Sequence, residues 1–121
     1  MSVTFDTSAW INYFTASKSG PKVKRFVESG ETILTPTICL MEFKTKYVRE
    51  RAEYQSKIDF ISSRSSLVPL DKEMASAAAD LKIKYHLHTT DAVVYAVARN
   101  SDSLLLTSDA HFANLPKTQV I

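Results

Sequence analysis

Apolar residues along this chain follow two spacings, short runs typical of buried strands and repeats of three or four residues typical of amphipathic helices. The strand-like runs are 3–5, 31–35, 67–68, 104–106 and 118–121. The helical stretches between them are 9–16, 22–29, 36–51, 54–64, 71–85 and 89–100. Strands that alternate with helices indicate a parallel sheet with helices on both faces. The pattern therefore predicts a three-layer α/β/α sandwich around a central parallel sheet.

Local residue choices predict where some of these helices begin and end. Pro21 suits the first turn of a helix, and Gly30 is expected to end the same helix by C-capping. Asp71 is the expected N-cap of the helix over 71–85, since its carboxylate can accept hydrogen bonds from the first free amides.

Length and composition set the size and the compartment that we expect. The 121 residues, 45% of them hydrophobic, suit one compact domain spanning 1–121. No apolar run approaches the ~20 residues of a membrane span, and the first strand begins too early for a secretion signal to precede it. The lone cysteine, Cys39, lies in an apolar run and is predicted to be a core residue. We therefore expect a cytoplasmic protein.

The charge of the chain is close to balanced. A net charge of +2 does not by itself establish nucleic-acid binding. The basic residues of one helix, Lys44, Lys46, Arg49 and Arg51, spread around its axis at 100° per residue and are interpreted as a solvated face. Contact between one or two of them and a phosphate stays open as the alternative.

Four acidic residues mark the beginnings or ends of apolar elements, namely Asp6, Glu42, Asp91 and Asp109. Asp6 and Asp109 each follow an apolar strand, whereas Asp91 and Glu42 lie in the opening turns of helices. The carboxyl ends of parallel strands and the helices that follow them share one edge of the sheet, where ligands bind. All four carboxylates are therefore predicted to converge there. A carboxylate in apolar surroundings loses its hydration at a cost of roughly several kcal/mol, unless a cation or hydrogen bonds compensate it.

Each acid also has a structural interpretation. Asp6, Asp91 and Asp109 can satisfy the amides at helix N-termini, and Glu42 can be buried beside an Arg or Lys. Taken together as hard oxygen ligands, they favour Mg²⁺ or Mn²⁺ over zinc, and none of the three histidines is predicted to be a ligand. Such ions serve phosphoryl chemistry, so a phosphodiester or phosphomonoester is the expected substrate.

The acidic motifs resemble those of the PIN-domain ribonucleases, and among them the VapC-type toxins of toxin–antitoxin pairs. The likeness covers nearly the whole chain. The matching segments are Asp6-Thr7-Ser8-Ala9-Trp10-Ile11, Glu42-Phe43, Asp91-Ala92 with Ala96 and Ala98, and Leu105-Leu106-Thr107-Ser108-Asp109-Ala110-His111-Phe112. They occur in the family's order and at separations similar to the family's.

The resemblance implies a function and a set of roles. Its metal-binding and catalytic residues are Asp6, Glu42, Asp91 and Asp109, and the implied ion is Mg²⁺, with Mn²⁺ as the alternative. Ser8 and Thr107 are implied as hydroxyls that orient carboxylates or the attacking water. The implied reaction is hydrolysis of single-stranded or loop RNA that leaves 5′-phosphate and 3′-hydroxyl ends. The implied partners are a second copy of the chain and an antitoxin that inserts an Arg or Lys toward the acids.

Two departures from the family pattern leave the four acids intact. Trp10 stands where Leu or Ile is commoner, and Asp102 stands where a glycine is frequent, a position for which Asp tolerates positive φ. Other functions stay open: a PIN-like RNA-processing nuclease outside a toxin pair, a PIN scaffold without activity, a receiver-like Mg²⁺-binding phosphoacceptor, or a haloacid-dehalogenase-type phosphatase. The last would require an acid at position 8, which is Ser8.

Overall fold

Strands and helices alternate along the chain, as the hydrophobic pattern predicts. The computed structural model describes residues 2–121. The strands in this range are β1 (Ser2–Phe5), β2 (Thr32–Pro36), β3 (Ser66–Val68), β4 (Leu104–Thr107) and β5 (Thr118–Val120). The α-helices are α1 (Thr7–Phe14), α2 (Gly20–Glu28), α3 (Thr37–Arg49), α4 (Gln55–Arg64), α5 (Lys72–Tyr85) and α6 (Thr89–Asn100). A 3₁₀ turn, Ala110–Phe112, follows β4.

The five strands form one sheet in the order β3-β2-β1-β4-β5, and every neighbouring pair is parallel. The central strand is β1, where Thr4 stands opposite Leu34 of β2 on one side and Leu105 of β4 on the other. Strand order reverses between β1 and β4, which makes their carboxyl ends the expected ligand crevice. The order also differs from the 2-1-3-4-5 order of receiver-like domains, so the receiver-like alternative is wrong.

Helices cover both faces of the sheet, which confirms the predicted three-layer α/β/α sandwich. Val3 and Phe5 of β1 point into a core formed with α1, α2, α3 and α4. Leu105 of β4 points to the opposite face and packs in a second core with α5 and α6. The alternation follows from the two-residue period of a strand, and both faces are apolar because the sheet is covered twice.

The first helix begins two residues earlier than the pattern predicts, at Thr7. Asp6 is its N-cap, and the Asp6 carboxylate accepts a hydrogen bond from the Ala9 amide at 3.0 Å. The N-cap role of Asp71 is confirmed, since its carboxylate accepts a hydrogen bond from the Met74 amide at 2.8 Å.

The prediction that Gly30 caps α2 is wrong. The helix ends at Glu28, and Ser29 is the cap, with an extended backbone and a hydroxyl that donates to the Phe26 carbonyl at 2.6 Å. Gly30 does not adopt positive φ, so it lacks the left-handed conformation of a glycine cap. Asp102 does adopt positive φ, at 48°, as predicted.

Three further details of the fold bear on the predictions. Trp10 is 1% exposed, and its indole N–H donates to Thr35 Oγ1 at 3.0 Å, so this departure from the family pattern is accommodated in the core. Cys39 is buried, as predicted. Within residues 2–121, no helix combines the length and the apolar character that crossing a membrane requires.

Candidate functional site

A pocket of about 230 Å³ lies where β1 and β4 end, and all four predicted acids line it. Its walls come from the start of α1, the second turn of α3, the first turn of α6 and the segment after β4. The lining residues are Asp6, Thr7, Ser8, Ile11, Glu42, Asp91, Val94 and Asp109. The convergence predicted from the parallel sheet is therefore present in the structure.

Asp6 is the most deeply buried of the four acids, with 7% of its surface exposed. Its Oδ1 accepts hydrogen bonds from Ser8 Oγ at 2.6 Å and from the Ala9 amide at 3.0 Å, and its Oδ2 accepts one from Thr107 Oγ1 at 2.5 Å. Burial raises the pKa of Asp6, although these three hydrogen bonds act in the opposite direction. The folded protein therefore holds this negative charge at a cost that a bound cation would relieve.

The Thr107 hydroxyl connects Asp6 with Asp109. It donates to Asp6 and accepts a hydrogen bond from the Asp109 amide at 2.9 Å. The Asp109 carboxylate in turn accepts a hydrogen bond from the His111 amide at 2.9 Å and caps the 3₁₀ turn. Asp6 and Asp109 thus have the capping role of the structural interpretation and still line the pocket, so the two interpretations are compatible.

Asp91 differs, because its carboxylate accepts no hydrogen bond from any residue in the described range 2–121. It is half-buried in the first turn of α6. Burial raises the pKa of Asp91, and the neighbouring charge of Asp109 raises it further. The capping interpretation therefore does not account for this side chain.

Glu42 is half-buried in the second turn of α3 and receives a hydrogen bond from Thr7 Oγ1 at 2.6 Å. No Lys or Arg among residues 2–121 forms a salt bridge with it. Burial beside a cation therefore does not explain its position. Thr7 was not among the predicted site residues, although it stands directly after Asp6 in the first motif and begins α1.

His111 is the other residue whose placement the sequence did not predict. The atoms of Asp91, Asp109 and His111 that can bind a metal all lie within 4.8 Å of one another. His111 Nδ1 is 3.2 Å from Asp109 Oδ1, and the His111 ring centre is 5.9 Å from that of His88. The available signal was the position of His111 two residues after the last acid, on a turn that places it beside Asp91 and Asp109.

The donor atoms of the pocket fit a divalent cation. Carboxylate oxygens suit Mg²⁺ and Mn²⁺, and an imidazole beside them suits a transition ion such as Mn²⁺ better than Mg²⁺. The three residues whose possible ligand atoms lie close together are Asp91, Asp109 and His111. Asp6 and Glu42 line the pocket but are not part of this group.

Sequence comparison identifies the family. A model of the PIN domain matches residues 3–118. The chain belongs to the PIN-domain family. This result confirms the resemblance inferred from the four acidic motifs, and PIN domains as a class are nucleases. No curated protein matches the sequence significantly.

Solved structures of other proteins share this fold at low sequence identity. A toxin–antitoxin complex from Klebsiella pneumoniae is 19% identical with a TM-score of 0.81, covering 98% of this chain and 96% of that one. VapC20 from Mycobacterium tuberculosis, described as a sarcin–ricin-loop-cleaving toxin, is 17% identical with a TM-score of 0.75 and covers 98% of both chains. VapBC2 from Rickettsia felis, bound to a promoter DNA fragment, is 17% identical with a TM-score of 0.74, covering 100% of this chain and 98% of that one.

Proposed function

We propose that this PIN domain is a Mg²⁺- or Mn²⁺-dependent endoribonuclease that acts in the cytoplasm as the toxin of a VapBC-type pair. The observation that carries the proposal is the convergence of Asp6, Glu42, Asp91 and Asp109 on one pocket at the switch point of the sheet. The fold shared with toxin–antitoxin complexes and with an RNA-cleaving toxin supports the choice of RNA and of a toxin.

In this proposal Asp91 and Asp109 hold the metal ion, and Asp6 and Glu42 complete the catalytic group. These acids are far apart in the sequence, but the sheet places the ends of β1 and β4 side by side and so brings them together. A Mg²⁺ or Mn²⁺ ion held there would neutralise charge on the scissile phosphate and would make a nearby water more acidic.

The hydroxyl groups of the pocket keep the carboxylates in place. Ser8 and Thr107 each donate a hydrogen bond to Asp6, one to each carboxylate oxygen, so the orientation of this side chain is set before substrate binds. Thr7 does the same for Glu42. Preorganised charges of this kind need not rearrange during the reaction, which favours catalysis.

Glu42 is the proposed residue that binds the metal or positions the attacking water. Hydrolysis forms a bond between the water oxygen and phosphorus while the bond from phosphorus to the 3′ oxygen breaks. The water loses a proton to the pocket carboxylates and the leaving 3′ oxygen gains one. The products carry a 5′-phosphate and a 3′-hydroxyl.

The partners in this proposal are the RNA substrate, a second copy of the chain and a cognate antitoxin. Complexes of toxins with antitoxins among the structural relatives support the last of these. An Arg or Lys of the antitoxin directed at the four carboxylates would compensate the same charge as the metal ion. Growth arrest on expression of this protein, relieved by co-expression of a cognate antitoxin, would distinguish a toxin from a PIN nuclease that processes RNA.

The proposal is tested by incubating the purified protein with a mixed RNA pool and Mg²⁺ or Mn²⁺. We expect cleavage that EDTA abolishes and that Asp6→Asn lacks, with the cut ends carrying 5′-phosphates. Asp80→Asn is the matched control, because Asp80 lies exposed on α5, away from the pocket. A folded Asp6→Asn protein that cleaves at the wild-type rate would contradict the assignment, and a wild-type protein that cleaves no RNA would contradict the function.

A further inference from the structure

A second depression, about 480 Å³ in volume, runs along α3 and shares Glu42 with the acid pocket. Its lining residues are Glu42, Thr45, Lys46, Arg49 and Glu50. Residues at these spacings lie on one face of a helix. The acid pocket and this depression therefore adjoin at Glu42, and we call the depression that one face of α3 lines the α3 groove.

The cations of α3 are not equivalent, although the sequence suggested one solvated face. Lys46 Nζ lies 2.7 Å from Glu50 Oε2, so its charge is already compensated. Lys44 Nζ lies over the Tyr54 ring, 5.1 Å from the ring centre, and does not line the groove. Arg49 is exposed, lines the groove and forms no salt bridge with an acid among residues 2–121. It is thus the groove's uncompensated cation.

The position of Arg49 matches what an RNA strand in the acid pocket would need. Four carboxylates repel a polyanion, so binding requires positive charge close by. Arg49 follows Glu42 by seven residues, which places it about 10 Å farther along the helix axis. One or two nucleotides of single-stranded RNA span a distance of this order.

We propose that Arg49 binds a backbone phosphate of RNA adjacent to the scissile one, with the Thr45 hydroxyl as a second donor in the α3 groove. A guanidinium is well suited to this role, since it donates two parallel hydrogen bonds to phosphate oxygens and stays charged. Arg49 is then a positioning residue that fixes which phosphate enters the acid pocket. The inference rests on the proposed function, because it takes RNA as the substrate.

The test compares Arg49→Gln with Arg25→Gln, both in the Asp6→Asn background so that RNA stays intact. Arg25 is an exposed cation on α2 that lines a separate depression with Lys22 and Gln119. Gln has nearly the helix propensity of Arg, so neither change disturbs its helix. Binding of a short fluorescein-labelled RNA of random sequence is measured with Mg²⁺ at several salt concentrations.

We expect Arg49→Gln to raise Kd about three- to tenfold at low salt and to reduce the slope of log Kd against log salt by about 0.7, the loss of one phosphate contact. Arg25→Gln should change neither quantity. In the cleaving protein, Arg49→Gln should raise KM and leave kcat near its original value.

Equal Kd and equal salt slope for the two variants would overturn the inference, as would an Asp6→Asn protein that binds no RNA at all. The failure of the proposed function is a separate result: no cleavage by the wild-type protein with either metal. RNA binding that depends on Arg49 would still support the groove in that case.

Discussion

The replacement Thr107→Val tests whether one buried hydroxyl holds the acidic pocket together. Thr107 is fully buried, donates to Asp6 Oδ2 at 2.5 Å and accepts from the Asp109 amide at 2.9 Å. Valine has almost the same shape as threonine but makes neither hydrogen bond. The change therefore isolates the polar contacts from packing.

The expected cost follows from the two hydrogen bonds that are lost. A hydrogen bond to a charged group contributes about 1.5–3 kcal/mol, and the half-buried Asp109 amide, left without an acceptor, costs about 0.5–1 kcal/mol more. Thr107→Val should therefore lower the free energy of unfolding of the metal-free protein by about 2–4 kcal/mol. With a urea m-value near 1.5 kcal/mol/M, the unfolding midpoint falls by roughly 1–3 M.

The charge of Asp6 accounts for part of this cost, and a double-mutant cycle measures that part. In the Asp6→Asn background the acceptor is neutral, so Thr107→Val loses a hydrogen bond of about 0.5–1.5 kcal/mol together with the same amide cost, about 1–2.5 kcal/mol in all. Urea unfolding at neutral pH in EDTA is followed by the fluorescence of Trp10, which is the single tryptophan and is buried.

Thr118→Val is the matched control, since the Thr118 hydroxyl on β5 makes one long hydrogen bond, 3.4 Å, to the Pro116 carbonyl. We expect its effect to stay within about 0.5 kcal/mol. A cost of Thr107→Val that is the same with Asp6 and with Asn at that position would refute the reasoning, because the charge would then have no part in it.

Three further predictions concern pH, metal choice and the fold. Because burial raises the pKa of Asp91, the folded protein binds its proton more tightly than the unfolded chain does. The free energy of unfolding, measured by urea titration in EDTA, should therefore rise as pH falls through the pKa of the folded state toward 3.8, the ordinary value. Asp91→Asn should flatten this rise. His111→Ala should weaken Mn²⁺ binding more than Mg²⁺ binding in calorimetry, and equal losses would count against imidazole ligation. Arg64 donates to the carbonyls of Phe26 and Val27 in the last turn of α2 and to those of Ser29 and Glu31 before β2. Arg64→Met should therefore lower the free energy of unfolding by about 2–4 kcal/mol, seen as a lower thermal midpoint, and Arg64→Lys should not restore the wild-type midpoint.

The layered fold was predictable because it depends on periodicity, which is local. Apolar strands that alternate with amphipathic helices leave a doubly covered parallel sheet as the consistent arrangement, and parallel strands bring their carboxyl ends to one edge. Asp6 and Asp109 follow two such strands, so their placement at that edge followed without knowledge of any contact. Helix ends were less predictable: Gly30 looked like a cap, but the chain leaves α2 through Ser29 with an extended backbone.

The sequence by itself determined the element types, the sheet edge that carries the chemistry and the four acids that lie there. Only the tertiary structure decided that Thr107 connects Asp6 with Asp109, that Thr7 donates to Glu42 and that His111 lies beside Asp91 and Asp109. The physical reason is that these contacts depend on the order β3-β2-β1-β4-β5, which places β1 against β4 although their paired residues are 101 positions apart in the sequence. Hydrophobic periodicity reports which face of an element is buried and carries no information about which strand becomes its neighbour.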